Sequence, residues 1–141
     1  MNIFSMLLAI LAGIFTTIET SINSQLGKYL TPSIATLHSL ITGMTFMLLI
    51  NLFLGNLTRY SKVLTVHPIW LIGGLFGAFI IYLSSRSIPV LGISNTLILI
   101  LAGQLVSGLV IDTLINNLDI SLKKMVGMVL FLIGAIMFLQ E

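Results

Sequence analysis

Long apolar runs alternate with short polar breaks along this chain. The runs cover approximately residues 3–26, 33–55, 69–85, 90–115 and 122–139. A helix of about 20 apolar residues crosses a hydrocarbon core of roughly 30 Å. Each run is therefore read as one membrane-spanning helix. The runs are continuously apolar rather than alternating, which excludes a transmembrane β-barrel. The predicted fold class is an all-α integral membrane protein with five transmembrane helices in a single transmembrane domain, residues 1–141.

The breaks carry recognisable signals. Lys28 and the pair Thr31-Pro32 close the first run, because a residue before proline resists helical geometry. Asn56 to His67 is a polar loop with Arg59, Tyr60 and Lys62, and Pro68 sits where a first-turn proline opens a helix. Arg86 and Pro89 mark the end of the third run, and Asn116, Asn117 and Asp119 form the next loop. The fifth run is uniformly apolar only from Met125; Lys123 and Lys124 lengthen it by snorkelling. The first run lacks the basic start and small-residue cleavage site of a signal peptide, which predicts a retained helix.

Composition sharpens this picture. Only 7% of the residues are charged, six basic and four acidic, against 57% hydrophobic. Soluble domains carry about 25% charge. So few charges cannot cover a water-facing surface, which excludes a soluble enzyme, a disordered chain and a nucleic-acid binder. Cysteine is absent, so there is no disulfide framework and no thiol chemistry. No phosphate loop, nucleophile elbow or metalloprotease motif occurs. His38 and His67 lie too far apart to suggest a metal site. No cofactor and no metal is expected.

Five spans alternate the loops between two sides. Arg59, Lys62, Lys123 and Lys124 fall on one side, and Lys28 and Arg86 on the other. The positive-inside rule then favours a cytoplasmic N-terminus by a margin of two charges. So thin a bias leaves two outcomes open: one fixed orientation, or insertion in both directions with pairing to an inverted partner.

Several polar residues interrupt the runs. An ionisable side chain at the centre of a membrane helix costs about 2.5–3.5 kcal/mol on insertion scales. Glu19 lies well inside the first run, and Ala12, Thr16, Glu19 and Asn23 share one stripe at helical spacing. That stripe predicts a face turned toward protein or a water-filled cavity. A carboxylate there binds a cation or trades a proton, since loss of water disfavours the charged form of any carboxyl group. The alternative is a protonated acid that only packs helices together. In the second run Ala35, His38, Thr42 and Thr45 form a further stripe, with His38 either a proton relay or a packed side chain. Gln104 is mid-span in the fourth run and needs a partner, in a site or in a helix contact. Asp112 is about 31 Å of helix from Leu91, near the opposite interface, where a gate or a solvated helix end fits. Gly73 and Gly77, Gly103 with Ser107, and Gly127 with Gly134 are spaced for close helix packing or dimerisation.

Several segments together resemble a known family: GIFTTIETSINSQLG (13–27), WLIGGLFGA (70–78), PVLG (89–92) and GQLVSGLVID (103–112). They are similar to the YdcZ family, also called DUF606, of inner-membrane exporters in the drug/metabolite transporter superfamily. The last segment is the most specific, because Gln104 and Asp112 match a family pattern. The resemblance implies location in the bacterial inner membrane. It also implies that five helices form half of a ten-helix inverted-repeat transporter. Two such chains, an antiparallel homodimer or a chain with a sister subunit, would enclose a small-molecule substrate site near the midplane. Relatives commonly have glutamine at the position of Glu19, and glycine soon after that of Asp112, where this chain has Thr113 to Asn117. The first exchange points to a cationic substrate or to proton coupling here.

The expectation is thus a transporter subunit of alternating access that exports a small metabolite or drug. Glu19, Asn23, Gln104 and His38 would bind substrate or protons, and Asp112 and Arg86 would serve a gate or interface. Two other classes stay open: a dual-topology ion channel, and a membrane protein that assembles with a larger complex without transporting. Partners are the lipid bilayer, the substrate and a second subunit, with no nucleic acid.

Overall fold

The computed structural model describes residues 2–115 and 121–140. The predicted loop residues Asn116, Asn117 and Asp119 lie outside the described residues. Helix boundaries follow local chemistry. Asn2 caps α1 (Ile3–Tyr29), its Oδ1 accepting from the Phe4 N–H at 3.1 Å. Thr31 is extended (φ −146°, ψ 156°), as a residue before proline must be, and its Oγ1 accepts from the Ile34 N–H. Pro32 then opens α2 (Pro32–Phe53). The first span thus runs three residues past Leu26, because the pre-proline restriction acts only at Thr31. Gly55 ends α2 in the left-handed conformation at φ +65°, which glycine adopts without steric cost.

The segment expected as a polar loop is ordered differently. Asn56–Thr65 is a 3-10 helix of 10 residues, long for that geometry. Hydroxyls reinforce its tighter turns: Ser61 donates to the Thr58 carbonyl at 3.0 Å, and Thr65 to the Lys62 carbonyl at 2.7 Å. A second 3-10 turn, Pro68–Leu71, leads into α3 (Gly73–Leu91). Here Arg86 and Pro89 do not stop the helix at Ser85. Proline cannot donate to the Ser85 carbonyl, yet the loss falls in the final turn and does not break what precedes it. The true stop is Gly92, at φ +82° and ψ 165°, a region open essentially to glycine alone. The remaining helices are α4 (Ile93–Leu114) and α5 (Leu122–Leu139), the latter capped by Ser121. Among the described residues there is no strand. All five helices, the third counted from Pro68, are long and apolar enough to cross a membrane.

The chain divides into two compact units, Met1–Val90 and Leu91–Glu141. In the first, α1 and α2 pack as an antiparallel hairpin; in the second, α4 packs on α5. Burial is inverted relative to a soluble protein. Among the described residues the buried polar side chains are Thr20, Asn23, Ser24, Thr36, Ser84, Ser85 and Thr96, and the buried apolar ones are Ala35 and Ile88. Large aliphatic side chains point outward along every helix. Lipid tails are as apolar as leucine, so helices associate through small residues and interhelical hydrogen bonds instead.

Candidate functional site

The hairpin of α1 and α2 holds the polar constellation. Its tip is tight because Gly27 has no side chain: a Cβ there would lie 3.6 Å from Pro32 Cα and 3.9 Å from Ala35 Cβ. Thr20, Asn23 and Ser24 of α1 and Ala35 and Thr36 of α2 are all buried. Most hydroxyls are satisfied on their own helix. Thr20 donates to the Thr16 carbonyl at 2.8 Å and Thr36 to the Pro32 carbonyl at 2.8 Å, the back-bonding usual for mid-helix Ser and Thr.

Two hydrogen bonds cross between the helices and share one atom. Asn23 Nδ2 donates to Ser39 Oγ at 3.1 Å, and Ser39 Oγ donates to Glu19 Oε1 at 3.5 Å. Ser39 is the hinge of this chain, accepting from one side and donating to the other. Asn23 is buried, Ser39 half-buried and Glu19 exposed on the single chain. The polar line therefore runs from inside the hairpin to its surface and ends on a carboxyl group. One carboxyl oxygen is tethered; Oε2 makes no hydrogen bond among the described residues.

The other sequence-predicted residues fall elsewhere. His38 is exposed, and its ring makes no hydrogen bond among the described residues. The inward stripe of α2 is Ala35, Thr36 and Ser39 rather than Ala35, His38, Thr42 and Thr45. Thr42 and Thr45 instead donate to the His38 and Ile41 carbonyls of their own helix. Arg86 folds back along α3: Nη1 donates to the Tyr82 hydroxyl at 3.2 Å, with the guanidinium 5.8 Å from the ring centre. Gln104 and Asp112 belong to the second unit. Gln104 is exposed with no side-chain hydrogen bond among the described residues, and Asp112 is half-buried near the end of α4. A Cβ added at Gly73, Gly77, Gly103, Gly127 or Gly134 would meet no atom within 4 Å inside its own unit. Ser39 was not singled out in the sequence; its only signal was its place three and four residues after Thr36 and Ala35.

A multi-pass membrane protein with a polar helix seam and an acid at its surface is the class that this fold and site define. The sequence profile of the family described as "Putative inner membrane exporter, YdcZ" matches residues 4–137. The chain belongs to that family, and it is a multi-pass protein of the inner membrane. No curated protein and no solved structure matches it.

Proposed function

We propose that this chain is the transport subunit of a small carrier that exports a cationic metabolite or drug in exchange for protons. Two copies, or one copy and a sister subunit, pair in antiparallel orientation and alternate access around a central cavity. Membership of the exporter family supports transport. The observation that carries the substrate reading is the Asn23–Ser39–Glu19 chain. A carboxyl group on the outer face of a membrane helix is costly against lipid. It is tolerable where water, a partner helix or cargo meets it. The Ser39 hydroxyl reaches one carboxyl oxygen in a long, 3.5 Å contact and leaves the other to a cation or a proton. The apolar residues around it suit an amine or lipophilic cation better than a hydrated metal ion. Gln104, whose amide lacks a partner in its own unit, and His38 are the further polar groups offered to the cavity. Asp112 and Arg86 would serve its mouth.

Proteoliposomes loaded with a fluorescent lipophilic cation test this under an imposed pH gradient. The native chain gives slow, saturable flux that dissipates the gradient. Glu19→Gln keeps the shape but removes the exchangeable proton, and loses coupling and at least tenfold in flux, the scale of a lost charge-assisted contact at about 1.5–3 kcal/mol. Proton-coupled flux unchanged in that variant refutes the role of Glu19. Large currents that do not saturate assign the chain to the channels instead.

A further inference from the structure

A second polar feature lies away from Glu19, where the C-terminal half of α2 meets the 3-10 helix Asn56–Thr65. A cleft of about 850 Å³ opens there, within the range of pockets that hold whole ligands (about 300–1,000 Å³). Its floor is Met44, Met47 and Leu48, one face of α2 at helical spacing. In a 3-10 helix, residues three apart eclipse one another. That geometry turns Leu57, Tyr60 and Val63 onto the cleft as a single apolar wall. The neighbouring stripe, Asn56 and Arg59, lines the cleft's polar edge, while Lys62, the next in that stripe, does not line it. The Arg59 guanidinium is exposed and has neither an ion-pair nor a hydrogen-bond partner among the described residues.

We infer that this cleft binds one anionic phospholipid, its phosphate on Arg59 and Asn56 and the start of an acyl chain along Met44, Met47 and Leu48. An unpaired guanidinium is a fork matched to phosphate oxygens, and one basic side chain near an anionic membrane surface is worth about 1 kcal/mol. The chain has four acidic residues in all, so a second copy offers few carboxylates to pair with Arg59. The surrounding membrane offers anionic phospholipids, whose phosphate carries no cationic group beside it to compete with the Arg59 guanidinium. The occupied cleft would anchor the α2 end at its leaflet. This rests on the membrane location alone, not on the transport role of Glu19, so either can fail without the other.

Native mass spectrometry of the full chain, extracted from nanodiscs of mixed phosphatidylglycerol and phosphatidylcholine, reads the bound lipid. The native chain retains phosphatidylglycerol in preference. Arg59→Gln lowers that preference about fivefold, the factor expected of one basic residue at an anionic surface. Lys62→Gln, with the same charge change on the same helix, leaves it in place. Met47→Trp fills the floor with Arg59 intact and lowers retention of the lipid. Equal losses in Arg59→Gln and Lys62→Gln overturn the site in favour of diffuse surface charge. Retention unchanged in Met47→Trp, or displacement of the lipid by soluble glycerol phosphate, overturns it in favour of a headgroup-only anion site. Equal retention of the two lipids by the native chain overturns it outright.

Discussion

Ser39 turns two separate polar residues into one device. Without its hydroxyl, Asn23 would lose the acceptor for its amide and Glu19 the donor that holds Oε1. Hydrogen bonds between membrane helices are worth about 0.6 kcal/mol on average, so the bridge positions more than it stabilises. Ser39→Ala is therefore expected to lower stability by about 0.6 kcal/mol, and Asn23→Ala by about 1–3 kcal/mol because the buried amide also loses its packing. A double-mutant cycle followed by denaturant unfolding in mild detergent should return a coupling of about 0.6 kcal/mol. Strict additivity of the two substitutions would show that the Asn23–Ser39 bond carries no energy. Glu19 and Asn23 were legible in the sequence because an acid and an amide four residues apart stand out in an apolar run. Ser39 was not, since a lone serine in a membrane helix carries no such cost. The register of α2 turned on a single residue. His38, one position away from Ser39 and thus about 100° around the helix, faces outward.

Local chemistry explains where the helices were legible and where they were not. Thr31-Pro32 and Pro68 are strong signals: the break between the first two helices and the helical turn that opens at Pro68 agree with the fold. Pro89 misled because a proline near the end of a helix costs far less than one at its centre. The 3-10 helix 56–65 escaped because polar composition marks a loop without saying whether its carbonyls bond three residues on. The tip of the α1–α2 hairpin gives a sharper test of packing. A methyl group at Gly27 would sit at ordinary contact distance from the Pro32 backbone and the Ala35 Cβ. Gly27→Ala should keep the fold and raise stability by up to about 1 kcal/mol, the helix-propensity gain. Gly27→Leu should force the helices apart and cost about 1–3 kcal/mol, as overpacking does. Unfolding midpoints of the two variants in detergent check this: a leucine tolerated as well as an alanine would mean that the tip is not closed.

Among the described residues the few buried side chains are mostly small and polar while aliphatic side chains lie exposed, and in the most apolar 18-residue stretches of α4 and α5 no residue is buried. Each unit has little core of its own, and an exposed mid-span Gln104 argues that part of what covers its helices in the membrane is polar. Antiparallel pairing of identical chains requires that the same sequence insert both ways. The charge pattern makes that requirement testable, because Arg59, Lys62, Lys123 and Lys124 outweigh Lys28 and Arg86 by only two. With tags at both termini and an impermeant label applied to intact cells, the native chain should show each terminus on both sides. Lys123→Gln with Lys124→Gln brings the count to two against two (four less two, against two), and the population should shift toward equal halves. Observation of one orientation in both proteins would exclude the homodimer and require a sister subunit of opposite topology. That outcome would leave the Asn23–Ser39–Glu19 chain intact, but it would give half of the proposed cavity wall to residues that this chain does not supply.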